Sequence, residues 1–144
     1  MTQGYIRDAE SGTRYNVLGE QVRVLAATDA TGGAFEMFEV TGLRGSGPPP
    51  HLHGWPEAMM ILDGEIQVSI GDETRTVGAG NFVALPAGTP HAYTVMSESA
   101  RFIAVSAGAG SGNFFREVDA KITGPLDSME PVFAIAAAHE VALA

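Results

Sequence analysis

His51 and His53 stand one residue apart in the stretch GSGPPPHLHGWPEAMMILDG (residues 45–64), Glu57 follows four positions later, and His91 comes directly after the tight PAGTP segment. The chain holds only four histidines, so three of them fall in this set. Imidazole nitrogens and a carboxylate are borderline ligands that suit Fe(II), Mn, Ni, Cu or Zn, and they leave one or two coordination positions open for a reacting molecule. In an extended strand His51 and His53 point the same way, about 7 Å apart. A straight strand would carry Glu57 roughly 13 Å past His53, so Gly54 and Pro56 are expected to bend the chain and return Glu57 to that face with Met59 and Ile61. His91 opens another expected strand and shares its face with Tyr93 and Val95. The competing reading keeps these histidines as packing residues without a metal; His139, near the C-terminus, is read that way, as an ordinary satisfied side chain.

The elements that must position this set follow an all-β rhythm. Short runs rich in Val, Ile, Phe and Thr alternate with Gly, Asp, Asn or Pro from Tyr15 to about Ser106. Strands are expected over 21–27, 34–40, 58–62, 65–70, 73–77, 81–85, 91–95 and 101–106, enough to close a barrel or sandwich. Asp63-Gly64 and Gly71-Asp72 carry the chemistry of two-residue hairpin turns. Gly80-Asn81 and Pro86-Ala87-Gly88 mark two further reversals, and Pro48, Pro49 and Pro50 stiffen the approach to His51. Beyond Ser106, AGAGSGN reads as a flexible link and PLDSMEPVFAIAAAHEVALA as one helix capped by Asp127 or Ser128, with Pro131 in its first turn. That helix is expected to cover one end of the barrel.

Bulk composition narrows the function classes. A chain of 144 residues fits one domain with a sizeable core, here read as a barrel over about 15–106 followed by a link and helix over 107–144. A formal net charge of -9, with only eight Lys and Arg, argues against nucleic acid or an anionic membrane surface as partner. The absence of cysteine removes disulfides, thiolate ligands and a Cys nucleophile. No basic region followed by an apolar run opens the sequence, and no stretch reaches transmembrane length, so a soluble, cytoplasmic protein acting on a small molecule is expected. Exposed strand edges favour a homodimer.

The spacing also carries a resemblance. Residues 45–64 fit G-x5-H-x-H-x3-E-x6-G and residues 80–91 fit G-x5-P-x-G-x2-H. These patterns, in order and about fifteen residues apart, resemble the two motifs of the cupin superfamily. That resemblance implies a small jelly-roll β-barrel, and it implies His51, His53, Glu57 and His91 as ligands of one divalent transition metal per chain. Glu57, held weakly or released, would then take a proton from a bound hydroxyl as general base. The second motif ordinarily closes with Asn, and here that position is Val95, which implies a more apolar pocket without touching the ligand set.

The stretches HLHGWPEAMMILDGEI, AGNFVALPAGTPHAYTV, GNFFREV and AIAAAHEVALA look most like single-domain, quercetin-dioxygenase-like cupins. Such a likeness implies that a hydroxylated aromatic takes the open metal positions and that dioxygen cleaves a ring. Cupins of polyketide biosynthesis look similar too, with the metal as Lewis acid in an aldol cyclisation. A ligand-binding cupin without turnover is the alternative from another class, and a sugar isomerase is disfavoured by the apolar wall. Phe38, Trp55, Met59, Ile61, Phe82, Tyr93, Val95 and Phe102 are the expected pocket residues, with Phe35 or Met37 and Val83 beside them. No Arg or Lys cluster lies near the motifs, so a neutral aromatic substrate is expected rather than a phosphate or dicarboxylate.

Overall fold

The computed structural model describes residues 3–144. Eleven strands and two α-helices follow in chain order. They are β1 (Arg14–Val17), β2 (Glu20–Ala26), β3 (Phe35–Leu43), β4 (His51–His53), β5 (Glu57–Asp63), β6 (Glu65–Ile70) and β7 (Glu73–Gly78), then β8 (Phe82–Leu85), β9 (His91–Val95), β10 (Ser99–Ala107), α1 (Gly110–Lys121), α2 (Glu130–Ala138) and β11 (Val141–Leu143). One sheet has the order β1-β2-β3-β10-β5-β8 and the other β11-β4-β9-β6-β7, and every described pairing is antiparallel. The two sheets face each other as a jelly-roll sandwich whose edges do not join, so the expected barrel is open.

Alternation along the strands builds the core. Phe38 and Val40 of β3, Met59 and Ile61 of β5, Ile66 and Val68 of β6, Val83 and Leu85 of β8, and Phe102 and Ala104 of β10 all turn inward and are buried. Each large side chain among them contributes about 1.5–3 kcal/mol by leaving water.

Two turn expectations part company here. Gly71-Asp72 does join a paired hairpin, β6 to β7. Asp63-Gly64 instead carries the chain from one sheet to the other, because β5 pairs with β8 and β10 while β6 pairs with β7 and β9. Gly64 is needed at this corner for two reasons: its φ is +84°, and a Cβ would lie 2.3 Å from the Ser99 carbonyl oxygen.

The C-terminal segment departs most from expectation. Residues 110–113 of the supposed flexible link open helix α1. Gly110, Ser111 and Gly112 are poor helix formers, and tertiary contacts offset this. Gly112 N–H donates to the Glu36 carboxylate at 2.8 Å, a buried anion at the positive end of the helix. The last helix is also shorter than expected, ending at Ala138, and Met129 rather than Asp127 or Ser128 occupies its cap position. Glu140 then takes a left-handed φ of 60°, and Val141–Leu143 pair with β4. An open strand edge offering unpaired backbone groups outweighs the helix preference of the alanines.

Candidate metal centre

β4 and β9 are neighbours, and His51 is the register partner of His91, which brings their ring centroids to 4.2 Å. His53 lies two residues along β4 on the same face, with its ring centroid 4.9 Å from that of His91. The ligating nitrogens of the three histidines all lie within 4.8 Å of one another. His53 and His91 are buried, and His51 is half-buried.

Each ring is oriented by its own local backbone. His51 Nδ1 meets the Pro49 carbonyl at 2.8 Å, His53 Nδ1 the Trp55 carbonyl at 2.9 Å, and His91 Nδ1 the Thr89 carbonyl at 2.8 Å. A carbonyl only accepts, so each Nδ1 carries the proton and each neutral ring keeps its lone pair on Nε2. Three carbonyls thus fix the tautomer that a metal requires. Burial, reinforced by the other two imidazoles, holds His51 below the ordinary histidine range and favours the neutral form.

Glu57 reaches the cluster by a route the sequence did not suggest. Gly54 to Pro56 do not bend β4 back on itself; they carry the chain across to the other sheet, where Glu57 opens β5 opposite Leu85 and Ser106. From there its Oε2 lies 3.2 Å from His53 Nε2. With Nδ1 already donating to Trp55, the His53 lone pair and a carboxylate oxygen face each other, an arrangement that a cation between them relieves. The donor set therefore fits a divalent transition metal.

Trp55 completes the setting. Its indole stacks on the His53 ring at 4.3 Å between centroids and 8° between planes, and its Nε1 donates to Ser111 Oγ at 3.0 Å. Ser111 in turn donates to Ser106 at 2.9 Å. Gly110 is glycine because the indole lies against it: a Cβ there would approach the ring carbons within 2.7 Å. Trp55 is therefore a fixed wall of the pocket, anchored by the first turn of α1.

The imidazoles and Glu57 face an apolar cavity. Trp55, Met59 and Tyr93 line it, as the sequence leads one to expect. Phe38, Ile61, Val95 and Phe102 do not; they are at most 2% exposed and fill the sandwich core. Val83 is also core. Phe82 turns outward and is 62% exposed, because the inward parity of Val83 and Leu85 on β8 puts it on the opposite face, and Phe35 is likewise exposed. Much of the remaining wall comes from elements the sequence did not assign to it, among them Phe114 and Phe115 of α1, Val132 and Phe133 of α2, and Val141 and Leu143 of β11. No Arg or Lys lines the cavity among the described residues. His139 stays apart from the cluster and pairs through Nε2 with Glu117 of α1.

A further carboxylate, Glu20, was missed; its position after a Leu-Gly turn carries no sequence signal of burial. Tyr93 donates its hydroxyl to Glu20 Oε1 at 2.7 Å. Burial pushes the Glu20 carboxyl up to about 7, a rise that the Tyr93 hydrogen bond moderates, and burial beside Glu20 holds the Tyr93 phenol well above its ordinary value.

A two-sheet jelly roll presenting three imidazoles and a carboxylate to an apolar cavity defines a class of small β-sandwich proteins with a metal-ligand set. Residues 38–106, just under half of the chain, match the cupin domain family. Among curated proteins it is 33% identical over 101 residues, 69% of this chain, to quercetin 2,3-dioxygenase of Bacillus subtilis (strain 168). The matched part spans only 30% of that relative's length. Among solved structures, KdgF from Halomonas sp. superposes with a TM-score of 0.67 at 19% identity, covering 74% of this chain and 94% of that one. The polyketide cyclase RemF from Streptomyces resistomycificus gives 0.66 at 22% identity, covering 73% and 80%. At these identities the two structures establish the fold. Among the described residues no helix is long and apolar enough to cross a membrane.

Proposed function

We propose that the protein is a metal-dependent cupin enzyme acting on a small hydroxylated aromatic, in the manner of a quercetin-dioxygenase-like oxygenase. The observation that carries this reading is the convergence of three Nε2 lone pairs and the Glu57 carboxylate at one wall of a cavity lined by apolar and aromatic groups. The likeness to a quercetin 2,3-dioxygenase over 101 residues supports the choice of chemistry. His51, His53 and His91 hold the metal, and Glu57 is its fourth ligand or its neighbour. When bound, a divalent transition metal supplies a Lewis-acidic and, for Fe, Mn, Ni or Cu, redox-capable centre with open positions. Phe114, Phe115 and Phe133 pack a flat ring and exclude water, while Trp55 keeps the His53 ring from turning. Glu57, which has another carboxylate lone pair to offer, accepts the proton of the substrate hydroxyl as it approaches the histidines.

The test begins with protein purified without added metal. Elemental analysis is expected to find about one transition metal per chain, followed by oxygen uptake with a panel of flavonols and catechols. Glu57→Gln is expected to lower turnover by about 10²–10⁴-fold while the metal stays bound. Substrate consumption under strict anaerobiosis would move the chemistry to a cyclisation or isomerisation at the same centre. A chain that neither carries metal nor takes it up would overturn the reading.

A further inference from the structure

The cavity in front of the histidines is small. Its volume is about 120 Å³. An apolar cavity of about 150 Å³ takes one benzene ring, whereas pockets for drug-sized molecules run from about 300 Å³ upwards. On that scale the space admits one aromatic ring with small substituents. A flavonol, a bicyclic core with a third ring attached, exceeds it.

Several walls that set this size are braced against widening. Trp55 is held by its stack on His53 and its hydrogen bond to Ser111. Phe115 stands edge-on to the core ring of Phe38 at 5.2 Å between centroids. Phe114 lies 6.0 Å from the Phe115 ring and 6.2 Å from that of His139, and His139 is tied to Glu117 on the helix that carries Phe114. Val141 and Leu143 belong to β11, which is paired with β4 at all three of its residues, so this side opens only by unpairing the strand that carries two imidazoles. Phe133 is different: it reaches the cavity from α2, is half-buried, and takes part in none of these contacts. We propose that the cavity is built for a single aromatic ring, a phenol or a catechol rather than a flavonol, and that Phe133 is the specificity-determining residue that sets the upper size. This names the size class of the hydroxylated aromatic and rests on that reading for the ligand chemistry.

Phenol, 2-naphthol and 3-hydroxyflavone form a series of one, two and three rings. All are neutral at pH 7, as suits a wall that carries Glu57 and Glu20 and, among the described residues, no Arg or Lys. An open groove favours the larger rings, which remove more apolar surface from water, and a one-ring cavity reverses that order. Dissociation constants are measured by ligand-observed NMR on the full chain, after chelation and loaded with zinc, which has no redox chemistry with which to consume the probes. The wild type is expected to bind phenol at least about tenfold more tightly than 2-naphthol, with no displacement of phenol by 3-hydroxyflavone. Phe133→Ala should shift the ratio towards 2-naphthol by about tenfold or more. Phe133→Leu, a milder cut, should shift it the same way by about threefold and decides the matter if Phe133→Ala does not fold. Wild type that binds 2-naphthol or 3-hydroxyflavone as tightly as phenol overturns the size limit, and so does failure of all three to bind at millimolar concentration. A ratio unchanged in both variants overturns the role of Phe133. A chain that takes up no metal yet keeps the ranking overturns the metal reading and leaves the size limit standing; a metal-loaded chain with the ranking reversed does the opposite.

Discussion

The two polar stations of the cavity are built on opposite plans. At the histidine cluster each ring is set by a carbonyl two residues away in its own chain segment, Pro49 for His51, Trp55 for His53 and Thr89 for His91. The station at Glu20 is assembled from three distant stretches, with the Tyr93 hydroxyl 73 residues from its acceptor, and two of its oxygens lack partners. The first arrangement holds every ring by a local hydrogen bond at Nδ1 and is stiff, as a site that must meet one fixed geometry requires. The second encloses a carboxyl with one oxygen unpaired, and burial raises its pKa accordingly.

Breaking the stiff station should have the largest effect. His53→Ala is expected to reduce bound metal from about one per chain to near zero after dialysis, read by elemental analysis, whereas His139→Ala leaves metal content unchanged. Equal losses in both would remove the distinction between the cluster and the structural histidine. Next in size is a pH effect at Glu20. The folded Glu20 carboxyl titrates at about 7, above its ordinary value of 4.5, so the folded state binds the extra proton across that window. Its contribution is fully present below about 4.5 and is lost as pH rises through about 7. Glu20→Gln cannot lose it, so the variant's stability relative to wild type should grow between pH 5 and 8 by up to about 3 kcal/mol, measured by urea unfolding at each pH. A flat difference would mean that Glu20 is ionised in the folded protein throughout. The smallest effect belongs to the link between α1 and the metal wall. Trp55→Phe keeps the stack on His53 but leaves Ser111 without its indole donor, at a cost of about 1 kcal/mol in chemical denaturation and with metal retained.

The same contrast explains what the sequence shows and what it hides. His51, His53 and His91 are legible because local spacing and strand parity place them, and the prolines and turns beside them supply the carbonyls that orient them. Glu57 is legible as a residue but not as a geometry: Gly54 and Pro56 signal a change of direction, and only the sheet pairing shows that the change is a crossing to the opposite layer. Parity separates Phe82 from Val83 once the strand register is known, yet it does not tell how deep along a strand the cavity begins, so Phe38 and Phe102 look like wall and turn out to be core. Helix α1 is hidden by its own first turn, whose Gly-Ser-Gly is chosen for contact with Trp55 and Glu36 rather than for helix propensity. Glu20 leaves no trace at all, since its burial depends on residues 42, 46 and 93 closing around it.

The pairing of β11 with β4 has a consequence for how occupancy of the site can be observed. Val141 and Leu143 are register partners of His53 and His51, so local opening of the chain's last strand exposes the edge of the strand that carries two of the imidazoles. A ligand that binds only the closed form makes that opening rarer in proportion to its saturation. The backbone amides of residues 141–143, remote in sequence from every ligand residue, thereby become a built-in gauge whose deuterium uptake slows as the histidines are filled.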